Sequence, residues 1–238
     1  MCSRRQRDIQ LKPNQEHAVS NIDLTAFSGS SRLKRVLDCV VAGALVVLCL
    51  PLMALTALVV WLSLGSPLFF AQARAGAGMQ VFTVSKFRTM TDARGTDGAL
   101  LPDGVRQTTA TALLRRLRFD ELPQLLCVLA GNMSMVGPRP LPLVTVEAFG
   151  ELGRMRSLVA PGMTGWAQVN GNTRLSDDEK IALDLWYVAH ASLWLDAWIL
   201  LLTVKTIVTG ERVHAERLKM AHAFLSHYPC GRLQAMTR

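Results

Sequence analysis

A chain of 238 residues can bury one substantial core, and with 50% apolar residues it carries more apolar surface than a soluble domain of that size needs. Its 26 basic against 18 acidic residues leave a formal charge of +8, which suits an anionic partner, but no helix-turn-helix pattern, zinc-finger spacing or paired aromatic RNA-binding motif accompanies it. That argues against nucleic acid and leaves phosphorylated substrates and anionic lipid.

Residues 1–31 mix Arg, Gln, Asn and Ser with few large apolar side chains, too little to offset the entropy of ordering, so a flexible tail is expected. From 39 to 73, 35 consecutive positions lack Asp, Glu, Lys and Arg, which marks a membrane segment. A helix from about Val36 to Leu64 would be roughly 43 Å long, longer than the roughly 30 Å hydrocarbon core. Pro51, near its middle, removes a backbone donor and clashes with the preceding turn, so a kink is expected there. Arg32, Lys34 and Arg35 precede the segment while Arg74, Lys86 and Arg88 follow it, which places both ends on the cytoplasmic side. Two half-helices, 39–50 and 52–64, each rising roughly 18 to 20 Å, would enter one leaflet and return. A tilted full span is the alternative.

Beyond Phe69 the pattern turns water-soluble. Gln80 to Val84 reads as a short strand leading into Lys86-Phe87-Arg88-Thr89-Met90, and Gly, Asp and Pro between 91 and 104 mark a loop. A helical stretch around Thr111 to Arg118 is followed by Asp120-Glu121-Leu122-Pro123 and a helix from about Pro123 to Ala130, ended by Gly131. Gly137-Pro138-Arg139-Pro140 is a rigid turn. Ser176-Asp177-Asp178-Glu179 forms a capping box for a helix reaching about His190, its acidic residues serving the helix end rather than a metal. A last apolar helix, about Leu193 to Thr209, carries Trp194 and Trp198 and suits an in-plane interfacial position, with burial in the soluble core as the competing reading. Residues 211–238 read as a solvated basic tail. The five scattered cysteines form no disulfide framework and the five histidines no zinc spacing, in keeping with a reducing, cytoplasm-facing location.

The sharpest local feature is Arg115-Arg116-Leu117-Arg118-Phe119-Asp120-Glu121. Taken alone it is a salt-bridge cluster on a helix surface. Pro123, however, puts the two carboxylates at a helix junction, where they can converge on one phosphate or cation. Phosphoryl transfer needs a nucleophile, a cation for the developing oxygen charge and groups that hold the phosphates in line. One carboxylate can attack phosphorus to give an acyl phosphate while its neighbour holds Mg²⁺. Arg139, between two prolines, can present its guanidinium to a phosphate with little entropy lost; a surface turn arginine is the equal alternative.

The order of these motifs resembles that of the monotopic bacterial sugar transferases, the polyprenyl-phosphate phosphoglycosyl transferases. The resemblance covers roughly residues 32–210. It rests on Lys34-Arg35 and Asp38, Lys86 to Met90, Asp120-Glu121-Leu122-Pro123-Gln124, Gly131 through Pro140, Pro161 through Gly171, Asp184-Leu185-Trp186-Tyr187 and Ser192 through Asp196.

The fold it implies is α/β, mostly helical with a small sheet, in a monotopic membrane protein with interfacial amphipathic helices. Residues 1–31 would be a tail, 32–67 a re-entrant helix-break-helix turning at Pro51, 68–210 the catalytic domain and 211–238 a basic tail. The resemblance makes Asp120 the nucleophile and Glu121, with Asp120, the Mg²⁺ ligand. Lys86, Arg88, Arg115 and Gly137-Pro138-Arg139-Pro140 would bind substrate.

The implied reaction moves a sugar 1-phosphate from a UDP-sugar to undecaprenyl phosphate through a covalent aspartyl intermediate and releases UMP. It would initiate exopolysaccharide, capsule or O-antigen assembly at the cytoplasmic face of a bacterial inner membrane. Two alternatives are a catalytically silent membrane adaptor of the same shape and a glycosyltransferase that releases UDP. The chain departs from the family in having Leu50 where Ser usually precedes the hairpin proline, in the spacing of Gly76 and Gly78, and in Asn172-Thr173 between Gly171 and Arg174, a region concerned with sugar recognition.

Overall fold

The computed structural model of the protein describes residues 24–226. The expected tail over 1–23 and the last residues, 227–238, lie outside that range. Helix α1, Leu24–Leu64, starts inside the stretch expected to be a tail and runs through Pro51 as one element, so the two separate half-helices are not seen. The physical reason is local: one missing donor among good helix formers such as Leu and Ala interrupts one turn's bonding, and the ladder resumes on either side.

Both ends of α1 are seated on the rest of the chain. Ala42 is fully buried in the main core, with Val41, Leu45 and Val46 packed against it. Val60 is fully buried in a second cluster with Phe87 and Leu114, and Met53 and Ala57 border it. Between these two seats, Val47, Leu48 and Leu50 are exposed. Polar anchors fix each end. Lys34 donates to Asp196 at 2.5 Å and to the Val136 carbonyl at 3.3 Å, Asp38 accepts from the Met135 amide at 3.2 Å, and Arg35 caps the Val128 and Leu129 carbonyls. At the far end Arg88 donates to the carbonyls of Leu64, at 2.6 Å, and Gly65, at 3.0 Å, a cation satisfying the orphan acceptors of a helix C-terminus.

The soluble part follows in short elements. Strands β1, Phe69–Ala75, and β2, Val81–Phe87, form an antiparallel hairpin in which Phe69 faces Phe87 and Ala75 faces Val81. Its turn passes through Gly78 in the left-handed region, where a side chain would be strained. Helices α2, Asp103–Arg106, and α3, Thr109–Arg116, lead to a 3₁₀ turn at Phe119–Glu121 and then α4, Gln124–Leu129. Strand β3, Ser134–Val136, pairs in parallel with β4, Gly162–Thr164, across helices α5, Leu143–Ala148, and α6, Glu151–Arg156. The architecture is therefore mostly helical with two small sheets.

Helix α7, Trp166–Val169, precedes α8, Asp177–His190, which starts at the expected capping box: Ser176 accepts from the Glu179 amide and Glu179 returns the contact. Helix α9, Leu193–Thr209, buries only Asp196 and Ile199. Trp194, Leu201, Val204 and Val208 are exposed, which removes the reading of α9 as a core helix. The expected solvated tail is corrected over 215–226: helix α10, Ala215–Ser226, buries Ala221 and Leu225. An aromatic stack, Trp166 on Trp186 at 5.1 Å and Trp186 on His190 at 4.3 Å, continues edge-on to Phe224 in α10. Burial of a Leu side chain contributes about 1.5–3 kcal/mol, a gain that a count of basic residues does not register.

A cationic cleft around two carboxylates

Helix α3 begins at a Thr108–Thr111 capping box and ends at Leu117. Arg118 then takes the left-handed conformation, φ 59°, and turns the chain into the 3₁₀ segment that carries Asp120 and Glu121. Pro123 then stands at the cap position just before α4. The carboxylates thus sit off any regular helix face, as their position before a proline led one to expect. Phe119 packs against the Val60 cluster, so the backbone leading into Asp120 is tied directly to α1.

The two acids have opposite environments. Asp120 is only 5% exposed; burial and the neighbouring Glu121 push its pKa above the ordinary carboxylate range, against the pull of Lys86 and Arg115. Burial acts on Glu121 in the same direction, but Arg139 and Arg118 outweigh it and hold Glu121 below its usual value. Arg139 reaches one Glu121 oxygen at 2.6 Å and Arg118 the other at 3.3 Å. Lys86, on β2, is lowered chiefly by burial, while Asp120 and Glu121 oppose that shift. Burial and the charge of Arg139 lower Arg74 as well.

Arg74, Lys86, Arg115, Arg118 and Arg139 therefore set five cations around two carboxylates. The surplus favours a ligand with several negative charges, such as a diphosphate. A narrow cleft is lined by Arg74, Lys86, Glu121, Gln124, Arg139 and Gln168 among others. A second cavity, bordered by Arg118, Arg139, Asn172, Thr173, Lys180 and Asp184, shares Arg139 and Gln168 with the first.

The Gly137-Pro138-Arg139-Pro140 turn is held by backbone fit. A side chain at Gly137 would run into the Ala160 carbonyl, and one at Gly162 or Gly165 into the backbone of Gly137, so the glycines allow β3 and β4 to meet at this turn. Gly137 is accordingly a packing residue. Arg156 donates to the Arg139 carbonyl from below and, through Nε, to Asp184 at 2.8 Å. Burial pushes Asp184 up, with Arg156 opposing.

Of the residues singled out from sequence, Lys86, Asp120, Glu121, Arg139 and Pro140 come together. Arg115 faces Asp120 electrostatically and donates to the Met90 sulfur at 3.2 Å. Arg88 does not join them, because its guanidinium caps α1. Sequence reasoning missed Arg74, Arg156, Asp184, Gln168 and Glu211. Arg74 had a signal as a cation flanking the apolar segment, and Gln168 and Asp184 stood inside motifs of the family resemblance without a role being given to them; Arg156 and Glu211 had none.

Among the described residues no group of three or more His, Cys, Asp or Glu is placed to hold a metal. Two oxygen-bearing carboxylates nonetheless fit Mg²⁺, which usually binds through one or two carboxylates and completes its shell with water and substrate phosphates.

The family model described as "Bacterial sugar transferase" matches residues 29–210. The chain is 45% identical over 192 residues to the Bacillus subtilis protein called uncharacterized sugar transferase EpsL, covering 81% of this chain and 95% of that one. It is 39% identical over 186 residues to a UDP-N-acetylgalactosamine-undecaprenyl-phosphate N-acetylgalactosaminephosphotransferase of Aeromonas hydrophila, covering 75% of this chain and 44% of that one. It is also 39% identical over 193 residues to a UDP-glucose:undecaprenyl-phosphate glucose-1-phosphate transferase of Escherichia coli, with 76% and 41% covered. The chain spans less than half the length of these last two.

Proposed function

The chain belongs to the bacterial sugar transferase family, and from that premise we propose that it is a phosphoglycosyl transferase moving a sugar 1-phosphate from a UDP-sugar to undecaprenyl phosphate. The observation that carries this reading is the buried Asp120 beside Glu121, ringed by five cations and joined through Phe119 to the membrane helix.

In the first step an Asp120 oxygen attacks the phosphorus that bears the sugar. The bond from that phosphorus to the bridging oxygen breaks, and UMP leaves with the electron pair. In the second step a phosphate oxygen of the lipid carrier attacks the same phosphorus, returning Asp120 to its carboxylate and giving the lipid diphosphate sugar. Glu121, with Asp120, would hold Mg²⁺, which when bound neutralises charge on the donor diphosphate. Arg139, fixed by its prolines and by Arg156, has one of its three guanidinium nitrogens on Glu121, and Lys86 and Arg74 add positive charge from the hairpin. The product would initiate a bacterial surface glycan.

Membrane placement follows the same logic. A full span would put Lys34 and Leu64 on opposite sides of the bilayer, yet residues of one compact domain anchor both ends. That supports α1 entering and leaving one leaflet, its apex around Pro51 in lipid, with the exposed Trp194 and Trp198 of α9 at the interface. The catalytic domain then lies at the cytoplasmic face of the inner membrane, where a water-soluble donor meets an acceptor whose tail stays in the bilayer.

Purified protein given Mg²⁺, undecaprenyl phosphate and either UDP-glucose or UDP-N-acetylgalactosamine is expected to release UMP; release of UDP would overturn the proposal. The raised pKa of Asp120 fixes the pH dependence of that release. Attack needs the ionised form, so the rate should rise with pH along a limb above the ordinary carboxylate range. Lys86 favours the charged form of Asp120, and Lys86→Met should shift the limb to still higher pH and lower the plateau roughly 100-fold. A limb left in place by that substitution would separate Lys86 from Asp120.

A further inference from the structure

Glu211 lies one residue past the stretch matched by the family model, yet its side chain reaches Glu121 through a single intermediary, Arg118. Helix α9 ends at Gly210 in the left-handed region, φ 81°, and Glu211 follows directly. Four donors converge on the Glu211 carboxylate. One oxygen accepts from Asn172 Nδ2 at 2.5 Å and from Arg118 Nη2 at 3.2 Å; the other accepts from the Thr173 amide at 3.2 Å and hydroxyl at 2.5 Å. Burial alone would raise Glu211, but the donors of Thr173 and Asn172 and the charge of Arg118 hold it below its usual value. It is a fixed anion, held by Arg118, Asn172 and Thr173, which line the second cavity.

Arg118 is consequently shared. Its Nη1 touches Glu121 at 3.3 Å while Nη2 is held by Glu211. A guanidinium free to choose would grip a carboxylate with two parallel bonds. Since Arg139 already occupies the other Glu121 oxygen, a two-pronged Arg118 would leave Glu121 closed to any cation. We propose that Glu211 is a positioning residue that draws one prong of Arg118 away and so keeps Glu121 open to a divalent cation. The inference rests on Glu121 being a metal ligand, as read above.

The test uses Mn²⁺ as the probe, its binding to the full-length, detergent-solubilised protein followed by loss of the free-ion EPR signal, without donor or acceptor. Glu211→Gln is expected to weaken Mn²⁺ binding about 5-fold, the size of one partly exposed ion pair. Glu211→Asp, which keeps the charge but retracts it, should weaken binding in the same direction. Arg118→Gln should tighten it, and the double variant should follow Arg118→Gln alone. The concentration of Mg²⁺ giving half-maximal UMP release should move in parallel. Unchanged Mn²⁺ affinity in both Glu211 variants, with binding lost in Glu121→Gln, would overturn the role of Glu211 and leave the metal assignment intact. Equal loss from Glu211→Gln whether or not Arg118 is present would overturn the route through Arg118. Mn²⁺ bound equally by the wild type and Glu121→Gln would overturn the metal placement and this inference with it.

Discussion

Asp120→Asn is expected to stop both UMP release and lipid-linked product formation, a loss of at least about 10⁴-fold, because a neutral amide of the same shape cannot form the acyl phosphate. Mass spectrometry after donor alone should find a sugar-phosphate adduct on the wild type and none on the variant. The expected effect on stability has the opposite sign. Folding raises the pKa of Asp120, so at pH above that raised value the ionised carboxylate subtracts from stability, and the penalty is relieved as the pH falls through it. Asparagine removes the penalty, and the variant's thermal midpoint at neutral pH should equal or exceed that of the wild type. Such a pairing of lost turnover with retained or increased stability is the signature of a group strained for function. Wild-type turnover by Asp120→Asn would remove this residue from the nucleophile's role.

The second large effect concerns folding. Asp184→Asn should destabilise the protein by about 3–5 kcal/mol, read from denaturant unfolding, because it leaves the buried Arg156 guanidinium without its counter-charge. Both side chains are 5% exposed, so water cannot substitute for the missing partner. Burial pushes the Asp184 carboxyl above its ordinary range, against the pull of Arg156. Replacing both partners by apolar residues, Arg156→Met with Asp184→Leu, should therefore recover much of the lost stability. Activity should fall in that double variant all the same, since the Arg139 carbonyl would lose its Arg156 donor and the turn presenting Arg139 would loosen. Full activity in that double variant would show that Arg139 needs no support from below.

The features legible in the sequence were those written in contiguous residues. The capping box at Ser176, the extent of α9, the apolar segment and the placement of Asp120-Glu121 at a helix junction depend on neighbours a few positions apart, and the structure holds each of them. Hydropathy and capping are short-range signals, so the chain carries them before it folds. The tertiary structure decided which charges meet. Arg118 and Glu211 are 93 positions apart and Arg156 and Asp184 are 28 apart, so no local pattern pairs them. The same holds for the parallel pairing of Ser134–Val136 with Gly162–Thr164, which a glycine-rich stretch permits but does not announce. Arg88 sat in the same run as Lys86 and looked equally fit to bind phosphate. Lys86 lies within β2 and reaches the cleft, while Arg88, one residue past the strand's end at Phe87, closes the end of the long apolar helix, a division of labour that exists only once the hairpin and that helix are packed together.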